Sequence, residues 1–456
     1  MKTNPYLRAF LVVLTVLLAF ACSEDYLDKK PDKSLVVPQT LEDFQALLDN
    51  ADRVMNITPA IGMIASDDAF TTDNGWKGLL TATERNTYIW AKDTYNGEPC
   101  NDWNIPYQQV FYANVVLEGL EKIAVTPASE AQWKSLKGSA LFFRAHALHQ
   151  LTDHFTLPYT EKDAATTLGI PIRLSPNVNA PARQATLAQT YAQILEDLTL
   201  SLDFLPVHSP YKTRPTLPAA YALLARIHLT MAHYKEAEDY ASKALALNSV
   251  LLDYNTLNPN DFRPIPRMND EILFHSQQIL YSYAVFSNIY ADTTLYASYN
   301  DKDLRKTMFF RLRSPNRYSF KGSYTGSSPF FGGIANDEVY LIRAESRVRQ
   351  GNSDGARKDL NALLEKRWVA GMFIPITETN PGSLLGIILE ERQKELAFRT
   401  SRWSDLRRLG KDSKFAVTLS RVINGVTYTL PPNDLRYAFP LPNQEIQNSD
   451  VEQNPR

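Results

Sequence analysis

Cysteine is almost missing from this chain: Cys22 and Cys100 are the only two among 456 residues. A disulfide framework is thereby excluded, since the single pair would join a terminal segment to a distant loop. Neither sign of charge is in excess. The 48 Lys and Arg and 50 Asp and Glu leave a formal net charge of −2, which excludes the basic footprint of a nucleic-acid binder. After residues 9–21 no second long apolar run appears, so nothing downstream reads as a membrane span. No phosphate-cradling glycine loop precedes a helix, and no nucleophile-elbow serine is present.

What is present begins with "AFLVVLTVLLAFACSEDYLDKKP". Lys2 and Arg8 precede the apolar run from Ala9 to Ala21, and Ala19 and Ala21 are small residues before a cleavage point. Basic, apolar and small-residue regions in that order make a secretory signal peptide over residues 1–21. The next residue is Cys22, and "LAFAC" resembles the end of a bacterial lipoprotein signal, with Ala19 where leucine is usual. Lipidation at Cys22 is therefore expected, and ordinary secretion is the alternative. Several acyl chains, at about 0.8 kcal/mol per buried CH₂, hold a protein on a membrane almost permanently. Cys100, in "GEPCNDW", reads as a small packed hydrophobe.

Residues 22–40 are polar and proline-marked, an extended tether, and residues 41–456 are expected to form one domain. Thr40 can cap "LEDFQALLDNA", whose Leu41, Phe44, Leu47 and Leu48 recur at helical spacing. A loop-rich region over about 58–106 holds Trp76, Trp90 and Trp103. A long helix is expected over about 129–155, with Trp133, Leu136, Ala140, Phe143, Ala147 and Leu151 as one apolar stripe. Further helices are expected over about 187–205 and 218–232.

Two segments share a period. Tyr221, Ala225, Ala237 and Ala244 fall at the same successive offsets as Tyr340, Ala344, Ala356 and Leu363. Small residues there let two antiparallel helices approach closely, the tetratricopeptide pattern. A mainly α, tetratricopeptide-like helical-repeat scaffold is expected, with repeat helices over about 106–250 and 337–370. Between them, about 254–333 reads as an aromatic-rich insertion with long irregular and short β segments, a usual place for function. The end, from about residue 415, looks irregular apart from "GVTYTL".

Two clusters raise the question of catalysis or metal binding. "EERQKEL" offers Glu390, Glu391 and Glu395, and paired carboxylates can hydrolyse glycosides. All three lie on one predicted helix among Arg392 and Lys394, with Arg402, Asp405 and Arg407 following, so a salt network is the better reading. His146, His149 and Asp153 share a helical face at zinc-compatible spacing. They lack the Glu and second-histidine arrangement of a metalloprotease helix and share their helix with the core stripe, so packing contacts and hydrogen bonds are expected. The chain reads as a binding protein, not an enzyme.

A resemblance sharpens that reading. "CSEDYLDKKPDKS", "TLEDFQALLDN", "YQQVFYANVVLEGLEKI", "GSALFFRAHALHQLTDHF" and "DEVYLIRAESRVRQGNSDGARKDLNALLEKR" are similar to segments of the SusD/RagB family of outer-membrane nutrient-binding lipoproteins. "EERQKELAFRTSRWSDLRRLG" and "YAFPLPNQEIQNSDVEQNP" are the most specific, although Arg399 and Thr400 replace the acidic residue and glycine common after "ELAF". The resemblance implies a helical fold with tetratricopeptide-like repeats and binding loops on one side. It implies an oligosaccharide, or in some members a peptide, held over a SusC-like TonB-dependent transporter. It also implies an outer-membrane lipoprotein facing the cell exterior, with Glu24 and Asp25 resembling an outer-leaflet signal. A scaffold binding only proteins is a further alternative. No cofactor is expected, and a structural calcium ion in a loop stays open.

No ligand contact is shared across that family, so candidates come from the residues themselves. A sugar stacks its C–H face on a stiff aromatic ring while amides and carboxylates bond its hydroxyls. Trp76 in "TTDNGWKG" is expected on a turn, with Asp73 and Asn74 beside it. Trp103 sits at a helix entrance, where a structural anchor is the stronger reading. In the insertion, Tyr283, Tyr290 and Tyr296 could line a groove, although most of its aromatics must build core.

Overall fold

In the computed structural model the described residues are 38–180 and 183–456, so Cys22 and the signal segment lie outside them. The long helices are α1 (Leu41–Leu48), α2 (Asn101–Leu120), α3 (Glu130–Phe155), α4 (Leu187–Ser201), α5 (Leu217–Thr230), α6 (Tyr234–Leu247), α7 (Asn336–Arg349), α8 (Ser353–Glu365), α9 (Pro381–Glu395) and α10 (Ser401–Leu409). Each packs on its neighbour in the array: α2 on α3, α3 on α4, α5 on α6, α6 on α7 and α7 on α8. This is the helical-repeat scaffold expected from the sequence, and residues Leu41–Arg456 form one compact unit.

The repeat positions show why the helices pair. Ala225, Ala237, Ala244, Ala344, Ala356 and Leu363 are all fully buried, and the alanines let helix backbones come close. The two turns match as well: Ala232 and Gly351 fall at the same offset and both adopt positive φ, 62° and 85°. Helix α3 differs from its expected single stripe, because every residue from Gly138 to Phe155 is buried. It runs through the middle of the unit, so its polar side chains find internal partners. Arg144, for example, pairs with Asp197 of α4 at 2.6 Å.

The loop-rich region is more regular than its sequence suggests. It carries short helices at Ile61–Ala65, Asp73–Gly78 and Ala82–Tyr88. The insertion packs into a second core around Tyr254, Tyr283, Tyr299, Phe309, Tyr324 and Phe331, which it shares with Ile64 and Tyr88 of the loop-rich region and with Phe398. Short strand pairs tie the two regions together. Ala69–Thr71 runs antiparallel to Ile289–Ala291 with Phe70 opposite Tyr290, and Ile57–Thr58 runs parallel to Gln277–Gln278. Near the C-terminus the β-prone run "GVTYTL" supplies the strand Val426–Leu430, which pairs in a regular hairpin with Leu419–Ile423, where irregular chain was expected. Asn424 and Gly425 at its tip both take positive φ, which suits a two-residue turn.

A buried ion network joins insertion to helices. Arg305 reaches Asp303 and Glu391 at 2.6 Å and Glu395 at 3.0 Å, and Arg367 reaches Glu271 and Glu395 at 2.6 and 2.7 Å. Arg399 forms two hydrogen bonds to Asp337, at 3.0 and 2.6 Å. The salt-network reading of "EERQKEL" holds for Glu391 and Glu395, and Arg399 takes part through its own partner.

Candidate ligand-binding cleft

A cleft of about 610 Å³ opens where the strand Ala69–Thr71, the insertion, α9, α10 and the C-terminal hairpin meet. Phe70 forms its aromatic edge, its ring 5.5 Å from that of Tyr290 across the strand pair. Asp292 caps the next short helix by accepting from the Thr294 and Leu295 amides at 2.8 and 3.0 Å. That cap sets Thr294 and Ser298 along the cleft wall. Glu390 and Gln393 of α9 face it, and Thr418 closes it from the chain entering the hairpin. Arg421 fastens that hairpin to the floor. It donates to the carbonyls of Ile64, Tyr88 and Ser66 and lies 3.8 Å from the Tyr88 ring and 4.6 Å from the Trp90 ring.

The cations of the cleft are engaged within the protein. Arg402 holds Asp67 through two hydrogen bonds of 2.6 Å, and Lys394 pairs with Glu391 at 2.5 Å. Burial pushes Asp67 upward, but the charge and hydrogen bonds of Arg402, with a backbone hydrogen bond and the Arg421 charge, together leave the carboxyl below its ordinary range. Asp68 behind it has no such partner. Burial first, and the Asp67 charge second, push its pKa up to about 7. What the cleft offers a ligand is therefore hydroxyl, amide and carboxylate groups beside one aromatic edge.

Neither polar cluster fits a metal. Oxygens of Glu271, Asp337 and Glu395 lie within 4.8 Å of one another, yet Arg367, Arg399 and Arg305 already neutralise them. His146 and His149 are buried in α3, where burial holds their pKa values down to about 3 and about 4. Asp153 beside them accepts from Ser404, and its carbonyl accepts from Arg407.

The sequence candidates fall into three places. Trp103 and Tyr283 are core residues, 3% and 1% exposed, and present no ring face to a ligand. Trp103 packs against Tyr107 and Phe155 at 4.8 and 4.9 Å, as a structural anchor does. Trp76 lies on a short helix, not on a turn, because the Thr72 hydroxyl caps it by accepting from the Gly75 amide at 3.2 Å. Its indole N–H donates to the Arg85 carbonyl at 2.9 Å and its ring is half-buried. Asp73 accepts from the Asn424 amide at 2.9 Å, and Asn74 is exposed. Tyr290 does not line the cleft but packs its ring 5.5 Å from that of Phe70, and Tyr296 stacks on Tyr318 at 3.6 Å. Sequence reasoning missed Phe70, Asp67 and the first strand of the hairpin. The available signal was "SDDAFTT", an acidic pair beside an aromatic in a β-prone run.

A family model described as "Starch-binding associating with outer membrane" matches residues 25–229, and the model of the SusD family matches residues 334–456. The chain belongs to the SusD/RagB family. As a family member it is of an outer-membrane-associated, carbohydrate-binding kind. The same architecture recurs in a SusD superfamily protein of Bacteroides thetaiotaomicron, 23% identical, covering 91% of this chain and 100% of that one at TM-score 0.73. It recurs in one of Bacteroides fragilis at 18% identity, 91% and 100% coverage and TM-score 0.73. A SusD-like carbohydrate binding protein of Bacteroides vulgatus is 17% identical, with 90% and 96% coverage and TM-score 0.65. No curated protein matches the sequence. Among the described residues of this SusD-family chain, no helix is long and apolar enough to cross a membrane.

Proposed function

We propose that this SusD-family protein captures an oligosaccharide in the cleft at Phe70 and passes it to a SusC-like TonB-dependent transporter, without chemical turnover. The observation that carries the reading is the cleft itself: an aromatic edge at Phe70 facing hydroxyl and amide groups in a space of about 610 Å³, the size of an ordinary small-ligand site. Stacking of a sugar's C–H face and bonding of its hydroxyls need those groups. Glu391 and Glu395 are held in ion pairs, which supports capture over hydrolysis. Anchoring through lipidated Cys22, facing the exterior, completes the proposal. The rival ligand is a peptide, which needs backbone donors and acceptors more than a ring edge.

Calorimetric titration of the soluble chain from Ser23 onward, against oligosaccharide pools and tryptic peptide pools in parallel, tests the reading. Saturable heat with one sugar class supports glycan capture. Heat with peptides alone moves the function to the rival, and silence in both pools removes the cleft as a self-sufficient site.

A further inference from the structure

Away from the cleft, the hairpin formed by Phe310–Ser314 and Arg317–Phe320 collects positive charge without counter-charge. Arg311 stands opposite Ser319 in the register. Arg313 lies where the register shifts between Leu312 and Ser314, and its guanidinium still reaches Ser319. Both guanidiniums converge on one atom: Arg311 Nε donates to Ser319 Oγ at 3.3 Å and Arg313 Nε donates to it at 2.8 Å. Arg263 extends the group, since its guanidinium and that of Arg311 lie 5.2 and 4.4 Å from the ring of Phe262. Lys321, buried at the strand's end, donates to the carbonyls of Pro259 and Asp261.

Among the described residues, none of these four cations is paired with a carboxylate, whereas Arg305, Arg367, Arg399 and Arg402 all are. The Asp261 carboxylate nearby accepts from Asn258 at 2.7 Å. Burial, and after it the charges of Arg313 and Arg263, hold the Arg311 pKa below its ordinary value. Burial and then Arg311 do the same to Lys321. Two guanidiniums on one hydroxyl repel each other, and their Nη donors are left for something else. A tetrahedral oxyanion has the charge and the oxygens to take them, in the charge-assisted geometry at which arginine excels.

We infer that Arg311 and Arg313, gathered on Ser319 and flanked by Arg263 and Lys321, form a binding site for a tetrahedral oxyanion, the phosphate or sulfate ester of a ligand. The site is separate from the cleft at Phe70, so its failure leaves glycan capture untouched.

The test titrates the soluble chain with sodium phosphate and sodium sulfate at low ionic strength, with chloride as the control. Saturable binding of phosphate or sulfate is expected, weakened at least about tenfold by Arg311→Gln combined with Arg313→Gln. Ser319→Ala, which keeps both charges and frees them from each other, is expected to weaken it less. Should the double variant not fold, the exposed Arg313→Glu carries the same expectation. Two further probes identify the source: a sulfated oligosaccharide, and vesicles of phosphatidylglycerol beside vesicles of phosphatidylcholine. Loss of either interaction in the variant supports the site and names its natural ligand, and response to the inorganic anions alone assigns it to free phosphate or sulfate. Absence of saturation, chloride binding as well as phosphate (an adventitious ion only), or binding unchanged in the variants overturns the inference.

Discussion

The amide of Phe398 donates to Asp68 Oδ2 at 2.8 Å, joining positions 330 residues apart in sequence. Phe398 holds φ at 62°, an uncommon conformation for a bulky residue, and its ring stacks on Phe320 at 4.4 Å. This contact fixes the turn from α9 into α10 and thereby the placement of Arg402 in the cleft. Asp68 Oδ1 has no hydrogen-bond partner.

From this follows a pH dependence. Burial raises Asp68 to about 7, so the folded protein holds the proton more tightly than the unfolded chain does. The contribution to stability is full below the ordinary carboxylate value and is lost as pH rises through about 7. Asp67, Arg402 and Asp292 shape this titration. Asp68→Asn stays neutral throughout. It is expected to gain stability relative to the parent between about pH 5 and about pH 8, measured by urea denaturation. An equal difference at both pH values would refute the assignment.

The matched turns of the two repeats give a second prediction. Ala232 and Gly351 both need positive φ, and nothing lies within 4 Å of where a Cβ on Gly351 would stand. The left-handed conformation costs a residue with a Cβ about 1–2 kcal/mol, partly offset by the extra freedom of an unfolded glycine. Ala232→Gly is expected to stabilise by about 0.5–1 kcal/mol, and Gly351→Ala to destabilise by a similar amount. Thermal unfolding of both variants checks the sign; a stabilising Gly351→Ala would break the equivalence of the turns.

The same two turns show how much of the fold was legible. Tyr221 and Tyr340 begin segments with identical offsets, and close helix packing demands small residues wherever it recurs, so the repeats were readable without coordinates. Helix α3 was only half readable. A single apolar stripe marks one buried face, but nothing local says that Arg144 and Gln150 will be covered as well. The cleft was less legible still. Phe70, Asp292 and Arg402 come from distant segments, and only strand pairing and helix packing bring them together. Trp76 misled because "DNG" is strong turn chemistry, while the Thr72 cap that turns it into a helix is a single weaker signal.

Glu395 carries the third prediction. It accepts from Arg305 at 3.0 Å and Arg367 at 2.7 Å, and all three side chains are fully buried. Both arginines keep other carboxylate partners, but removing Glu395 leaves the buried Arg305 Nη1 and Arg367 Nε donors without an acceptor, at about 1–3 kcal/mol for each. Glu395→Ala is expected to lose that much stability in a denaturant titration. Glu390→Ala, on the exposed side of the same helix, is expected to stay within about 0.5 kcal/mol of the parent. Equal losses would mean that the network contributes nothing specific.

Cys22 lies outside the described residues, and its role is tested in the cell envelope. Cys22→Ser removes the thiol that would carry the lipid. The protein is expected to leave the membrane fraction while remaining folded, as judged by circular dichroism of the released chain. Retention in the membrane fraction would end the anchor proposal.

The last prediction separates ligand contact from support. Phe70 forms the edge of the cleft and Trp76 lies half-buried with its indole N–H committed to the Arg85 carbonyl. A stacking aromatic contributes about 1 kcal/mol or more to binding. Phe70→Ala is therefore expected to weaken oligosaccharide binding about fivefold or more, with a small change in thermal stability. Trp76→Ala removes packing beneath the short helix and is expected to lower thermal stability first. Its effect on affinity should be smaller than that of Phe70→Ala. Calorimetry and thermal unfolding on the two variants decide the matter, because the pattern is crossed. If Trp76→Ala abolished binding at unchanged stability, the ring platform would lie on the helix Asp73–Gly78. The cleft at Phe70 would then be a neighbour of the site and not the site itself.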